Sequence, residues 1–333
     1  MARIAVMGAG SWGTAFALVL ADAGNDVHLW GRRPELCRAI NTTHENADYL
    51  PGITLPDAIM AHADPAAALD GAEVVVLAVP SQQLRVNLQT WGGSIPSDAV
   101  MISLMKGIKV GTHKRMSEVI AELTGAGPDR IAMLTGPNLA REIAAREPAA
   151  SVVACEDVSV GERLQKLCHT ASFRPYTNTD VIGCELGGTT KNIIGLAVGV
   201  CIGLGFGDNS KATVITRGLA ETARLGAVIG ADPKTFSGLA GMGDLVATCS
   251  SPLSRNRTFG EKLGQGMSVE EVTAQTRQVA EGVKSCASVY EMAELHGVDM
   301  LIVEHVTALI EGRMDPESLV KALISREAKP EVT

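Results

Sequence analysis

Basic residues are not in excess in this 333-residue sequence, which carries 29 Lys and Arg against 37 Asp and Glu and has a formal net charge of −8. A surface that binds nucleic acid usually needs a dominant excess of Lys and Arg. The charge therefore argues against a nucleic-acid partner. Aromatic residues are also few (three Trp, three Tyr and five Phe), but 46% of the residues are hydrophobic, which is ample for a buried core.

Long apolar runs are missing as well. The first eight residues lead into glycine without the apolar core of a signal peptide. The longest nearly apolar stretch, residues 193–206, has 14 residues and contains four glycines, which is shorter than the roughly 20 residues of a membrane span. We therefore expect no integral membrane segment.

The seven cysteines are scattered and include no CxxC pair, and the seven histidines include no HxxxH spacing. These absences argue against a zinc site, and we expect no bound metal. An odd number of dispersed cysteines is typical of free, mostly buried thiols in a reducing compartment. The sequence thus predicts a cytoplasmic protein.

The first half of the chain alternates short apolar runs with helix-like stretches, which predicts a mostly parallel sheet built from right-handed βαβ units. The predicted strands are residues 3–7, 27–30, 74–79, 100–104, 131–134, 151–154 and 173–176. Beyond residue 180 only helices are predicted, over residues 183–207, 212–226, 269–275, 283–295 and 300–311. We therefore expect an α/β protein with a Rossmann-type domain (1–180) followed by an all-helical domain (181–333).

The glycine motif near the start predicts a dinucleotide site. Gly8, Gly10 and Gly13 form G-x-G-x-x-G directly after the first predicted strand and at the start of a predicted helix. Gly8 would form the turn, Gly10 would let the backbone approach a pyrophosphate, and Gly13 would allow close packing of the helix on the strand. The unpaired N–H groups of the helix N-terminus would face the phosphates. The alternative is a simple tight turn.

The end of the second strand favours NADP(H). NAD-preferring sites usually place an acidic residue there for the ribose 2′-hydroxyl, whereas this chain has Arg32 and Arg33 and no acid before Glu35. Two guanidiniums suit a 2′-phosphate. NAD(H) is not excluded, and a solvated pair of arginines at the strand end remains the alternative.

Several polar residues interrupt apolar sequence and are candidates for chemistry. Lys106 follows a predicted strand, where it could contact substrate or cofactor or be a solvated loop lysine. Lys191 directly precedes a strongly apolar run. It could be a general acid or base of lowered pKa, or a lysine that reaches back to solvent at a helix end. Asp244 could orient such a lysine, bond a substrate hydroxyl or cap a helix. Residues 254–257 (SRNR) could clamp a phosphate or form a solvated turn, and residues 135–138 indicate only a turn.

Together these segments resemble the bacterial NAD(P)-dependent sn-glycerol-3-phosphate dehydrogenases. The matching segments follow the family's order and spacing up to about residue 282, and they are GAGSWGTA, VVVLAVPSQ, LTGPNLAREIA, ELGGTTKNIIGLAVG, GFGDNSKATVITRGLAE, GLAGMGDLVATC, SRNRTFG and QVAEG. The resemblance implies reduction of dihydroxyacetone phosphate to sn-glycerol 3-phosphate for phospholipid synthesis. It also implies a Rossmann domain followed by a helical domain, as in 6-phosphogluconate dehydrogenase-like proteins.

The resemblance also implies roles for individual residues, with Lys191 as the catalytic acid/base. The implied substrate contacts are Lys106, Gly136, Asn138, Lys191, Asp244, Ser254, Arg255 and Asn256. The implied cofactor contacts, beyond the three glycines, are Ser11, Trp12, Arg32, Arg33, Lys106, Ala140, Arg255, Val279 and Glu281. Position 138 departs from the family, which usually has Ser or Thr there.

Two other functions fit parts of the pattern. A related two-domain reductase could act on a hydroxy acid, but it would need a carboxylate-binding site where this chain has SRNR. A non-catalytic dinucleotide sensor would keep the glycine loop without needing Lys191, Asp244 and SRNR together. A homodimer is the default expectation for the assembly.

Overall fold

The computed structural model describes residues 1–275 and 280–324 of the chain. Its first part is a single eight-stranded sheet with helices on both faces. The strands are β1 (Arg3–Met7), β2 (Asp26–Trp30), β3 (Ile59–His62), β4 (Val74–Leu77), β5 (Val100–Ser103), β6 (Ile131–Thr135), β7 (Ala149–Cys155) and β8 (Phe173–Asn178). The helices among them are α1 (Ser11–Asp22), α2 (Pro34–Thr43), α3 (Pro65–Leu69), α4 (Leu84–Trp91), α5 (Met116–Thr124), α6 (Ala140–Ala144) and α7 (Val158–Cys168).

The strand order is β3-β2-β1-β4-β5-β6-β7-β8. The chain adds β2 and β3 on one side of β1 and then crosses over to add β4 to β8 on the other side, so the order reverses between β1 and β4. All neighbouring strands are parallel except β6 and β7, so the predicted mostly parallel Rossmann-type sheet is confirmed. Strands of such a sheet are covered on both faces and therefore read as continuous apolar runs, as in the fully buried β4. In open sheets of this kind, ligands bind at the carboxyl ends of the strands beside the reversal point.

The sequence prediction missed one strand. β3 lies at the sheet edge, and its residues alternate between buried and exposed, with Met60 53% exposed. An edge strand of four residues has no continuous apolar run, which is the feature that identified the central strands.

After β8 the described chain contains helices and short helical turns but no strand, as predicted. The helices are α8 (Val181–Gly203), α9 (Asp208–Val228), α10 (Asp244–Ser250), α11 (Arg255–Gly264), α12 (Val269–Gln275), α13 (Glu281–Leu295), α14 (Leu301–Ile310) and α15 (Pro316–Ile324). The prediction missed α10, α11 and α15, and it extended α8 to residue 207. The helix ends earlier, before Gly205 (φ +82°).

Helix α8 is the centre of the helical part. By length and composition it could cross a membrane, but 89% of its most apolar window is buried inside the protein. It is the core helix around which the others pack, which explains why it is apolar on all sides. Asp180 caps its start by accepting a hydrogen bond from the N–H of Gly183 (2.8 Å). All seven cysteines are free and buried.

Candidate active site

A cleft of about 620 Å³ lies at the carboxyl ends of the parallel strands, where the sheet meets the helical part. Loops after the strands form one wall, and residues of α8, α10, α11 and α13 form the other. Most of the predicted site residues line this cleft: Gly8, Gly10, Ser11, Trp12, Gly13, Arg32, Arg33, Lys106, Asn138, Ala140, Lys191, Ser254, Arg255, Asn256 and Glu281.

Two of the predicted residues that the structure describes, Asp244 and Gly136, do not line the cleft. Asp244 is 1% exposed and lies behind Lys106 and Lys191. Gly136 is buried, and its carbonyl accepts a hydrogen bond from Lys106 Nζ (3.2 Å). Val279 lies outside the described residues.

The glycine loop is shaped for a phosphate group. Gly8 has φ +140°, and a Cβ there would lie 2.6 Å from the carbonyl oxygen of Ala78, while a Cβ at Gly13 would collide with the carbonyl of Gly8. At Gly10, in contrast, a Cβ would meet no protein atom within 4 Å, although the residue lines the cleft. The open space beside Gly10, next to the N-terminus of α1, fits the pyrophosphate of a dinucleotide.

Trp12 provides a second feature of this region that suits a bound group. Its indole Nε1 is buried and has no hydrogen-bond partner among the described residues, and the side chain lines the cleft. A buried donor without a partner is costly, so this N–H is available to an acceptor on a ligand. The ring itself packs against Phe16, with centroids 5.7 Å apart.

The two arginines after β2 have different surroundings. Arg33 Nη2 lies 2.5 Å from a carboxylate oxygen of Asp48, and its guanidinium stands over the ring of Tyr49 at 5.7 Å. Arg32 is exposed and has no ion pair or side-chain hydrogen bond within the described part of the chain. Arg32 is therefore the more available of the two cations, while Asp48 already holds Arg33.

The centre of the cleft is a cluster of two lysines around one carboxylate. Lys106 Nζ donates to Asp244 Oδ2 (2.6 Å), and Lys191 Nζ donates to Asp244 Oδ1 and to Thr248 Oγ1 (2.7 Å for the latter). Lys191 is 8% exposed. Burial lowers the pKa of its ammonium to about 7, with the positive charge of Lys106 adding to the effect and Asp244 opposing it. A lysine with that pKa can donate and accept protons near neutral pH.

The position of Lys191 rules out the alternative of a lysine that reaches solvent at a helix end. It lies in the middle of the 23-residue α8 rather than at a helix start, so it cannot reach past a helix end to bulk solvent. Gly187 and Gly188, directly before this part of the chain, are helical, as the predicted helix over residues 183–207 requires. A Cβ at Gly187 would lie 2.7 Å from the carbonyl oxygen of Ala240, so tertiary packing accounts for this glycine.

The SRNR segment begins a helix rather than forming a solvated turn. Ser254 caps α11 by accepting a hydrogen bond from the N–H of Arg257 (3.3 Å). Asn256 Nδ2 donates to Asn192 Oδ1 (2.9 Å), and Asn256 Oδ1 accepts from the N–H of Gly282 (3.0 Å). These bonds hold α8, α11 and the start of α13 together on one wall of the cleft.

Glu281 joins the two parts of the chain at the cleft. Its Oε2 accepts a hydrogen bond from Ser81 Oγ (2.7 Å), 200 residues earlier in the sequence. Glu281 is the first residue of α13, and Ser81 lies in the turn after β4. This contact crosses from the sheet to the helices at a position that lines the cleft.

Sequence reasoning did not single out Asn192, Thr248, Asp48 or Ser151. The first two had a usable signal, since Asn192 directly follows Lys191 and Thr248 lies four residues after Asp244, on the same face of a helix. Nothing local marks Asp48 or Ser151.

A second cavity, of about 530 Å³ beside β8, contains none of the predicted residues. Among the described residues, no group of three His, Cys, Asp or Glu could hold a metal ion.

The chain is similar to known dehydrogenases over almost its whole length. The family model described as the N-terminus of NAD-dependent glycerol-3-phosphate dehydrogenase matches residues 3–161, and the model of the C-terminus matches residues 180–321. Glycerol-3-phosphate dehydrogenase [NAD(P)+] of Streptomyces griseus is 62% identical over 329 residues, which covers 99% of this chain and 98% of that protein.

Solved structures give the same similarity. The crystal structure of glycerol-3-phosphate dehydrogenase from Coxiella burnetii superimposes with a TM-score of 0.93 at 36% identity, covering 98% of this chain and 99% of that chain. A ketopantoate reductase of the PanE/ApbA family from Ralstonia eutropha gives a TM-score of 0.61 at 16% identity, covering 96% of this chain and 99% of that chain. That second similarity extends to the fold alone.

Proposed function

Because the chain belongs to the NAD-dependent glycerol-3-phosphate dehydrogenase family, we propose that it reduces dihydroxyacetone phosphate to sn-glycerol 3-phosphate with NADPH or NADH, and that it also catalyses the reverse oxidation. The observation that carries this proposal is the cluster of Lys106, Asp244 and Lys191 at the centre of the cleft. It combines a proton donor of lowered pKa with a second fixed positive charge.

Lys191 is the proton donor of the reduction. When bound in the cleft, NAD(P)H would provide the hydride for the carbonyl carbon of the substrate. The Lys191 ammonium gives a proton to the carbonyl oxygen as negative charge develops there, and it is left as a neutral amine. Its pKa of about 7 makes either protonation state available at neutral pH, as a reversible reaction requires.

Asp244 and Lys106 support this proton transfer. Asp244 holds the two ammonium groups through its two oxygens, so both point to the same region of the cleft. Lys106 adds positive potential at the developing alkoxide, in a site largely removed from water. In this proposal, Asp244 positions the lysines and does not contact the reacting atoms.

The substrate phosphate is assigned to the start of α11. Arg255 lines the cleft there and provides a guanidinium that can bind a phosphate through two hydrogen bonds. Ser254 and Asn256 flank it, and the helix N-terminus adds favourable potential for an anion. Asn138 adds a substrate contact on the sheet side, and Gly136 supports it indirectly, because its carbonyl holds Lys106.

The cofactor is assigned to the cleft beside β1 and β2. The pyrophosphate region would be held by the glycine loop, Ser11 and Trp12. The 2′-phosphate of NADP(H) would be held by Arg32 and Arg33. The rest of the cofactor would contact Ala140, Val279 and Glu281. The space beside Gly10 and the unpaired Trp12 Nε1 support this assignment.

The proposal extends to organisation and location. We place the domain boundary at residue 180, so that residues 1–180 bind the cofactor and residues 181–333 complete the substrate site. The end of β8 at Asn178 and the start of α8 at Val181 support that position. We assign the protein to the cytoplasm, where its product would supply glycerophospholipid synthesis, and we expect a homodimer.

Turnover and cofactor binding together test the proposal. Oxidation of NADPH and NADH should be measured with dihydroxyacetone phosphate and with a panel of 2-keto acids, on the wild type and on Lys191→Ala. We expect turnover of dihydroxyacetone phosphate only, and a loss of about 10³-fold or more in Lys191→Ala with NADPH binding largely retained. Lys211→Ala, a lysine of α9 outside the cleft, is the matched control.

Three outcomes would contradict the proposal. Near-normal activity of Lys191→Ala would show that Lys191 is not the proton donor of the reduction. Turnover of a 2-keto acid in place of dihydroxyacetone phosphate would indicate a hydroxy-acid reductase, and binding of dinucleotide without turnover of any carbonyl compound would indicate a sensor.

A further inference from the structure

Asn138 lines the cleft and carries a buried oxygen without a hydrogen-bond partner among the described residues. Its Nδ2 donates a hydrogen bond to Ser151 Oγ (3.1 Å), whereas its Oδ1 is buried and has no hydrogen-bond partner among the described residues. A buried acceptor without a partner costs free energy, and such groups are rare in folded proteins. The oxygen is therefore available to a donor on a ligand.

Ser151 fixes which end of the Asn138 amide faces it. Ser151 Oγ lies 2.6 Å from the carbonyl oxygen of Thr135. Two oxygens at that distance need a hydrogen between them, and a carbonyl has none, so the single hydroxyl proton of Ser151 points to Thr135. Ser151 can then only accept a hydrogen bond from Asn138. The amide NH₂ must face Ser151, and Oδ1 must face away from it.

The surrounding backbone keeps this arrangement rigid. Ser151 is fully buried in β7, which pairs with β6 so that Val152 lies opposite Thr135. Gly136 has φ +131°, and a Cβ there would lie 3.1 Å from the Cα of Ser151. The turn after β6 thus packs directly on Ser151, and the same turn receives Lys106 through the Gly136 carbonyl.

We propose that Ser151 is a positioning residue that binds the NH₂ of Asn138 and so leaves Oδ1 as the atom that a ligand can meet, and that Asn138 Oδ1 thereby selects substrates with a free hydroxyl group next to the carbonyl. This inference rests on the proposed function and adds to it the chemistry that the pocket requires. The hydroxymethyl group of dihydroxyacetone phosphate is such a donor. The same compound with a methyl group in its place, hydroxyacetone phosphate, leaves Oδ1 unpaired.

The test compares the two substrates across four proteins: wild type, Asn138→Leu, Ser151→Ala and Ser288→Ala. We expect the wild type to prefer dihydroxyacetone phosphate over hydroxyacetone phosphate by about tenfold or more in kcat/KM, because the methyl compound leaves a buried acceptor unpaired. Asn138→Leu should lose most of that preference. Ser151→Ala, in which the amide is free to rotate, should lose roughly 3- to 10-fold on dihydroxyacetone phosphate and little on the methyl compound.

The remaining arms separate this role from a structural one. Ser288→Ala removes another buried serine hydroxyl, on α13 and away from the cleft, and should leave the substrate preference unchanged. The KM for NADPH should not change in any variant. Should Ser151→Ala fail to fold, Asn138→Leu still measures the contribution of Oδ1.

Several results would overturn the inference. Equal losses on both substrates in Ser151→Ala would make Ser151 merely structural, and a raised KM for NADPH would place the donor on the cofactor. A wild type that reduces both compounds equally would overturn this inference alone. A wild type that does not reduce dihydroxyacetone phosphate would instead overturn the proposed function.

Discussion

The ammonium group of Lys106 and the carboxylate of Asp244 lie 2.6 Å apart, although 138 residues separate them in the sequence. The other oxygen of the same carboxylate contacts Lys191. One buried acid therefore stabilises two ammonium groups that would otherwise repel each other in a site of low polarity. The pKa of Lys191 depends on this balance, which makes the pH profile a sensitive measure of it.

Asp244→Asn should shift that profile to lower pH. Reduction needs protonated Lys191, so kcat/KM is highest below the pKa and is lost as the pH rises through about 7. The carboxylate raises the pKa of Lys191, so its loss should move the decline down by about one pH unit or more. Because the two lysines also lose the acceptor that positions them, the maximum rate should fall by about 10²-fold. The measurement is kcat/KM for dihydroxyacetone phosphate between pH 5.5 and 9. A profile of unchanged midpoint would mean that Asp244 does not control the proton on Lys191.

Arg32→Ala should weaken the binding of NADPH more than Arg33→Ala does. Arg32 has no ion pair within the described ranges, whereas Arg33 is held by Asp48 and must share its charge. A charged hydrogen bond to the 2′-phosphate is worth about 1.5–3 kcal/mol, so the KM for NADPH should rise about 10-fold or more in Arg32→Ala. The KM for NADH should change little in either variant.

The control for these arginine variants is Arg38→Ala, an exposed arginine on α2 that does not line the cleft. It removes the same charge nearby and should leave the ratio of the two KM values unchanged. Equal losses for NADPH and NADH in Arg32→Ala would contradict a 2′-phosphate contact.

The parts of the fold that were predictable from the sequence are those with local signals. The central strands are continuous apolar runs, and the glycine loop follows the first of them directly. The lysines of the cleft could be found because each interrupts apolar sequence. The start of α11 was less evident, since SRNR is polar and its helix depends on the Ser254 cap and on packing against α8.

The contacts that could not be predicted are those between residues distant in sequence. Ser151 is an ordinary strand residue until β6 places the turn of Gly136 and Asn138 against it. The ion pair of Arg33 with Asp48 depends on the path of the segment between β2 and β3, which carries no periodic pattern. Such pairings are set by tertiary structure and leave no trace in composition or spacing.

The glycines of α8 fall within the helix predicted over residues 183–207, but the sequence alone gives no reason for them. Gly199 and Gly203 lie against α11, where a Cβ at Gly199 would collide with the carbonyl of Arg257, and one at Gly203 would lie 2.8 Å from the Cα of Gly264. These glycines therefore serve helix packing, since two backbones can approach closely only where side chains are absent.

Gly199→Ala should accordingly destabilise the protein, although alanine is the better helix former. Overpacking of this kind costs about 1–3 kcal/mol, which outweighs the gain of up to about 1 kcal/mol in helix propensity. Urea denaturation measures the difference in the free energy of unfolding. Gly93→Ala, where a Cβ would meet no atom within 4 Å, should not destabilise. A stabilised Gly199→Ala would show that the two helices can separate at no cost.

Glu221 makes stability depend on pH through a contact outside the cleft. This residue of α9 is 4% exposed, and its carboxylate accepts hydrogen bonds from the N–H of Ile302 at the start of α14 (3.0 and 3.2 Å). Burial raises the pKa of the Glu221 carboxyl from 4.5 to about 7, although the hydrogen bond from Ile302 and the charge of Arg224 oppose the shift. A raised pKa in the folded state contributes stability that is complete below the unfolded value and is lost as the pH rises through about 7.

Glu221→Gln should therefore gain stability relative to the wild type as the pH increases. The amide keeps an acceptor for the Ile302 N–H and does not ionise, so the difference in unfolding free energy should move in favour of the variant by on the order of 2 kcal/mol between pH 5 and pH 8. Urea denaturation at both pH values measures this change, with the exposed Glu162→Gln as the control for loss of a carboxylate. A constant difference at the two pH values would show that Glu221 stays ionised when buried, and that Ile302 and Arg224 together offset its desolvation.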